Sequence, residues 1–595
     1  MKNIIFVVLL LGLNGMLLAQ ETSWTTPFEQ SVGLKTATYE EVMDFSKRLA
    51  KASPLVSYQM MGKSAGGYEI PMLIINKTGL HTPEDVRATG NVIMLIEGGI
   101  HPGEAEGTDA ILMLMRDIAI TLEKEHLLEN VTFIFLPAFN VDGLKRYGPF
   151  HRINQNGPGQ MGWRTNSQNL NLNRDFLKAD TPEMHAWLKM FTSWLPDFFI
   201  DCHSSDGADY QYVITYVMEV FGNMDPMLTH WQKNEFLPWV QGFMDTGEHL
   251  MYPYVSFQRW HDPQSGLRSG VAPPRLSQGY TAIQNRPGLL IETHMLKPHK
   301  QRVEATYALL DLSAQYLNQH ADKLKVMIKI ADETTAGESF RDRPFPINWK
   351  RDDTDSIMVE FKGVEYEIVE SELTGGKWYQ YHSDRPVTFE LPWFNKAVPE
   401  AETDMPEAYI IPPQWYEVIY RLALHGVRVD YLREDSEIWV EQYRFEDPRW
   451  IRSPNEGRFM LSNIEYTASR DTIYFPKGSA VIDMNQRTAR VIANILEPLA
   501  PDSYVRWGFF NAIFEQKEYS ETYVMEGLAR EMLENDPGLK TSFEKKKAED
   551  SEFARSQWAI LNWFYSKTPW WDQNKNLYPV GKIIERHDVE RLPVE

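Results

Sequence analysis

His101-Pro102-Gly103-Glu104 sets an imidazole and a carboxylate three residues apart, closing the apolar run NVIMLIEGGI (91–100). At i and i+3 the two can turn towards one point, which supplies two of the three protein ligands of a catalytic zinc site. The third must come from elsewhere in the chain. His203, in Asp-Cys-His-Ser-Ser after the run PDFFID (196–201), lies 102 residues further on and can join the pair only through the fold. With His101, Glu104 and His203 on the metal and one position left for water, zinc brings the pKa of that water to about 7. Hydrolysis also needs a carboxylate off the metal, to take the water's proton and pass it to a leaving amine. Glu292, near the end of GLLIETH (288–294), fits that task, because a glutamate leaving an apolar run is desolvated and its pKa rises. The plainer alternatives are a core histidine at 203, satisfied by a backbone carbonyl, and a solvated strand-end charge at 292.

Such residues need strand ends to hold them. Thr38 and Glu41 form a capping-box pattern ahead of Val42, Phe45 and Leu49, which share one helix face. VSYQMM (56–61) and YEIPMLII (68–75) flank a glycine-containing turn and predict a hairpin. That turn contains the G-x-S-x-G pattern of a serine-hydrolase elbow, but an elbow leads from strand into helix. A second strand-like run follows here, which counts against Ser64 as a nucleophile. Ala110, Ile111, Leu114, Met115 and Ile118 predict a helix after the HPGE segment, and VTFIFLP (131–137) a buried strand before a turn at Asn140–Gly143. Apolar strands alternating with helices predict an α/β fold with a mixed, mostly buried central sheet flanked by helices. In such sheets, sites collect at strand ends.

HPGE, the WRTN segment, NLNR, DCHS and LIETH stand in the order seen in the M14 zinc carboxypeptidases, the carboxypeptidase A-like group, which residues 35 to 320 resemble. The resemblance implies a peptidase with one zinc ion per chain on His101, Glu104 and His203, and Glu292 as general base. It implies that Arg164 steadies the carbonyl oxygen as charge develops, a role suited to a fixed cation. It also implies that Asn173 and Arg174 grip the terminal carboxylate of a peptide substrate, which a planar guanidinium matches bidentately. The sequence departs from the family in three places. Asn171 stands where an aspartate usually supports a zinc-bound histidine. The stretch HDPQSGLRSGVAPP (261–274) lacks the mobile substrate-capping tyrosine, for which Tyr280 is the first substitute and Tyr252 or Tyr254 the others. Arg275 lies where a residue selecting side chains would, although a structural role is the plainer reading.

The rest of the chain sets the frame. Lys2, the apolar Ile4–Leu18 and small Ala19 read as a secretory signal peptide over 1–19, with an uncleaved anchor as the alternative. A single cysteine among 595 residues excludes an intramolecular disulfide, and with export this suits a bacterial periplasm or the cell exterior. A net charge of −22 argues against a nucleic-acid partner, and no membrane span is expected after signal removal. The catalytic domain is expected over 20–325. KVMIKIAD, SIMVEFKG, VEYEIVES and VTFELPWF predict a β-rich module over 326–405. An α/β and helical region follows over 406–595, with AYIIP, a helix over 415–426 capped by Gly426, and VRVDYL. Trp507, Trp558, Trp563, Trp570 and Trp571 are read as packing residues rather than a glycan platform. The expected function is that of an exported zinc metallocarboxypeptidase. Two readings compete with it: a zinc amidase or endopeptidase on cell-wall peptides or acylated amino acids, and a non-catalytic glycan- or protein-binding protein with a vestigial zinc site. Substrate preference and oligomeric state do not follow from these residues.

Overall fold

The computed structural model describes residues 24–247 and 249–595, so the expected signal segment 1–19 lies outside the described residues. The chain divides into two units. One takes in the described residues up to Thr335 together with Trp349–Glu400, and the other comprises Ala336–Asn348 and Ala401–Glu595.

The first unit is built on strands β1 (Val56–Lys63), β2 (Glu69–Ile75), β3 (Val92–Glu97), β4 (Val131–Leu136), β5 (Phe198–Ser205), β6 (Ile214–Val217) and β7 (Met251–Pro253), followed by β8 (Ser256–Arg259), β9 (Asp262–Arg268) and β10 (Gly288–His294). Eight of them form a mixed sheet in the order β1-β2-β4-β3-β5-β10-β6-β7. The block β4-β3-β5-β10 is parallel, and β3 and β4 are buried at every residue, which is why they read as continuous apolar runs rather than alternating ones. Helices α1 (Tyr39–Ala52), α2 (Glu106–Ala119), α3 (Pro182–Trp194), α4 (Ser277–Ile283) and α5 (His299–Ala336) flank this sheet.

Local chemistry sets the element ends. The capping box at α1 forms as expected: Thr38 Oγ1 accepts the Glu41 N–H, and the Glu41 carboxylate accepts the Thr38 N–H. The β1–β2 hairpin also forms. Ser64, in its turn, donates its hydroxyl to Asp142 and accepts the Tyr68 N–H, so it staples a loop and attacks nothing. Asn140–Gly143, expected as a turn, instead starts a short helix over Val141–Lys145, because Asn140 Oδ1 accepts the Gly143 N–H at 2.9 Å.

KVMIKIAD, expected as a strand, is helical and belongs to α5. Its buried residues Met327, Ile328 and Ala331 follow Leu324 at helical spacing, a period that a short apolar run does not distinguish from a strand. The later runs are strands: β11 (Ile357–Glu370) and β12 (Lys377–Phe394) form a long hairpin that extends a second sheet in the order β11-β12-β9-β8. Phe361 and Leu391 bury themselves against Tyr210, Tyr212 and Leu267, which fixes this hairpin within the first unit. No helix of the described residues is long and apolar enough to cross a membrane.

The second unit holds β13 (Ala408–Ile411), β14 (Asp430–Tyr431), β15 (Ser436–Trp450), β16 (Leu461–Phe475), β17 (Ala480–Asp483) and β18 (Gly581–Ile583) in a sheet of order β14-β17-β13-β18-β15-β16. VRVDYL yields only the two-residue β14. Gly426 follows the helix Tyr416–Leu424 with a φ of +78°, the left-handed conformation expected of its C-terminal cap. Trp507 is buried, and Trp563 and Trp571 pack on a small helical core around Leu561 and Phe564. Trp558 and Trp570, at 69% and 67% exposure, do not.

Candidate metal and peptidase centre

Three adjacent parallel strands bring the candidate residues together. The chain leaves β3 at Glu97 and reaches His101 four residues later; β5 carries His203, and β10 carries Glu292. Glu292 and His203 are direct register partners, so their side chains leave the sheet on the same face. The HPGE segment is a turn closed by the Glu104 N–H donating to the His101 carbonyl at 2.8 Å. Helix α2 begins two residues later and packs directly on β5. A Cβ on Gly107 would lie 2.3 Å from that of Cys202, so only glycine lets the helix approach closely enough to place Glu104 beside His203.

His101, Glu104 and His203 are buried, and their ligand atoms all lie within 4.8 Å of one another. His101 Nδ1 is 3.2 Å from Glu104 Oε1, and His203 Nδ1 is 2.9 Å from Glu104 Oε2. His101 Nδ1 makes no hydrogen bond although it is buried. An unmet nitrogen beside a carboxylate and a second imidazole is the donor set that zinc takes, so the residues fit the ion.

The two histidines are backed differently. Behind His101, Nε2 meets the neutral Asn171 Oδ1 at 2.8 Å. Behind His203, Nε2 lies 2.8 Å from Asp201 Oδ2 and 3.2 Å from Asn173 Nδ2. A single ring N–H cannot serve as donor to one and acceptor for the other. The shorter, charge-assisted bond to Asp201 takes the Nε2 proton. Burial pushes His101 down to about 4, which keeps the imidazole neutral and able to bind metal. Burial opposes charge on His203 too, but the Asp201 and Glu104 carboxylates outweigh it and hold its pKa well above the usual imidazole range.

Glu104 is the electrostatic focus of these groups. Besides the two histidines it receives Arg152 Nη1 at 2.8 Å, Arg164 Nη1 at 3.0 Å and the Ser204 N–H at 3.0 Å. Burial raises its pKa, but His101 and Arg152 overcome that and hold it well below the usual carboxylate range. Glu292 meets the opposite balance: burial pushes it up to about 8, against the pull of His203.

These groups line a cleft of about 910 Å³, together with Asn173, Arg174 and Tyr254. Asn173 Oδ1 accepts the Ser277 N–H at 3.2 Å, which leaves its Nδ2 as a donor at the cleft wall. Trp349, Lys350, Arg351 and Trp393, from the segment 349–400, complete the rim.

Tyr280 corrects the sequence expectation. It is 0% exposed, in α4, with its ring 5.9 Å from that of Trp187 and 5.8 Å from that of Phe191, and its hydroxyl accepts Gln284 Nε2 at 2.8 Å. A side chain packed in an aromatic core cannot cap a substrate. Of the substitutes considered, Tyr254 is the one at the cleft wall, whereas Tyr252 stacks on Tyr212. Arg275 is not among the cleft-lining residues. Two site residues have no counterpart in the sequence expectations. Arg152 sits in an irregular loop with no period to mark it. Asp201 carried a usable signal, since two residues apart on a strand means the same face as His203.

Residues 42–212 match the family model of zinc carboxypeptidases, Peptidase_M14. Over 493 residues the chain is 21% identical to carboxypeptidase 2 of Trichophyton rubrum, covering 80% of this chain and 85% of that protein. It is 22% identical to carboxypeptidase 2 of Trichophyton equinum, covering 81% and 86%. Among solved structures, carboxypeptidase A of Helicoverpa armigera aligns with a TM-score of 0.38 at 17% identity, covering 53% of this chain and 81% of that one. A metallo-carboxypeptidase of Pseudomonas aeruginosa aligns with a TM-score of 0.36 at 17% identity, covering 49% and 70%.

Proposed function

We propose that this M14-family zinc metallopeptidase removes the C-terminal residue from peptides that end in a free carboxylate. The observation that carries the reading is the convergence of three metal-donor atoms within 4.8 Å, in a cleft where Glu292 is the register partner of His203. His101, Glu104 and His203 would hold a zinc ion, which would supply Lewis acidity and a water that ionises near neutral pH.

The chain's own groups do the rest. Glu292, kept basic by burial, accepts the attacking water's proton and returns it to the leaving amine. Arg164 rests on Glu104 at 3.0 Å and lines the cleft, so its guanidinium is at hand where negative charge develops on the carbonyl oxygen. Arg174 and Asn173 Nδ2, on the same cleft wall, hold the substrate's terminal carboxylate and thereby set the register of the scissile bond. The apolar N-terminal run supports export as the route to such substrates.

The test compares zinc-loaded protein on matched peptides ending in a free acid or an amide. Cleavage of the free acid at least tenfold faster, with release of a single residue, is expected. Equal rates on both, or internal cleavage, would move the assignment to an amidase or endopeptidase.

A further inference from the structure

We propose that Asp201 is a positioning residue that makes His203 the stronger of the two histidine ligands, a role resting on the zinc reading above. The geometry is asymmetric. Both histidines turn Nδ1 towards Glu104, and both engage a side-chain oxygen at 2.8 Å through Nε2. Behind His101 that oxygen belongs to an amide, and behind His203 to a carboxylate. Either acceptor fixes the tautomer that leaves Nδ1 for metal. Only the carboxylate also pushes electron density into the ring and raises its basicity as a ligand.

Asp201 has a second buried carboxyl group at the paired position of the next strand. It is 0% exposed and is the register partner of Glu97, also 0% exposed, on the neighbouring strand β3. Trp187 Nε1 donates to Glu97 Oε2 at 2.7 Å. Glu97 Oε1 and Asp201 Oδ1 each remain buried without a hydrogen-bond partner among the protein groups. Two buried carboxyl groups at paired positions cannot both ionise cheaply. Burial and the Asp201 carboxylate push Glu97 well above the usual carboxylate range. A carboxyl side chain thus stands behind His203, where an amide stands behind His101.

The test is zinc affinity, measured by competition with a chromophoric chelator, with melting of the metal-free proteins as a fold control. Asp201→Asn keeps an acceptor for His203 Nε2 and removes only the charge, so affinity should fall roughly 10–100-fold while melting stays close to wild type. Asn171→Asp puts a carboxylate behind His101 and should tighten binding on its own. In the double variant it should restore most of what Asp201→Asn loses. Unchanged affinity in Asp201→Asn overturns the proposal. Should that variant fail to fold, unchanged affinity in Asn171→Asp overturns it equally. Wild-type protein that takes up no zinc overturns this role and the peptidase reading together, whereas wild-type binding with indifferent variants overturns this role alone.

Discussion

His203 and Glu292 are paired residue to residue across two parallel strands, with Glu292 pushed up to about 8 by burial and His203 held well above its usual range by Asp201 and Glu104. The proposed proton acceptor and the proposed metal ligand are therefore spaced by sheet geometry rather than by loop conformation. Rigid elements hold such constellations more accurately than loops do.

Replacing the acceptor should separate chemistry from binding. Glu292→Gln should lower kcat roughly 10²–10⁴-fold, with zinc content and KM little changed. Metal analysis beside steady-state kinetics checks both halves. Loss of zinc in the variant would show that Glu292 acts on the metal instead.

The same group predicts a pH slope in stability. Its folded pKa, about 8, lies above its unfolded value, so the folded state binds the extra proton. Metal-free wild type should therefore lose stability as pH rises from about 5 to 8, relative to Glu292→Gln, which cannot ionise. Melting curves of the two proteins at both ends of that range should diverge towards alkaline pH. Parallel curves would contradict the assigned shift.

Arg174 should act through substrate recognition. Arg174→Ala should raise KM for free-acid peptides about 10–100-fold, the value of one or two charged hydrogen bonds, and leave C-terminal amides little affected. Matched kinetics on both substrate series would detect the split.

Tyr280→Phe tests the burial of that side chain. Losing the bond to Gln284 should cost about 1 kcal/mol of stability and leave kcat/KM unchanged. A drop in kcat/KM without a drop in melting temperature would return Tyr280 to the cleft.

The candidate metal donors were legible because apolar runs mark the strand ends near which they lie. VIMLIE, FFIDCHSS and GLLIETH all became strands of the parallel block. The partners of those donors were less so. Asp201 is visible only once its strand is known to bring it onto the face of His203. Arg152 lies in a loop whose path depends on packing far away in the chain. Tyr280 looked available because a helix of seven residues gives no clue that an aromatic core surrounds it. KVMIKIAD was ambiguous for a simpler reason: eight residues are too few to separate a period of two from 3.6.

The cleft has two authors within one unit. The turn after β3, with β5 and β10, carries the candidate donors and base, while residues 349–400 return from much later in the chain to furnish Trp349, Lys350, Arg351 and Trp393 at the rim. None of those four belongs to the candidate metal triad, and the groups that meet Glu104 are His101, His203, Arg152, Arg164 and the Ser204 N–H. The rim is therefore an exchangeable part. A chimera that takes residues 349–400 from a distant relative should meet different peptides while its zinc titration stays the same, and selectivity here can be retooled without retuning the reaction.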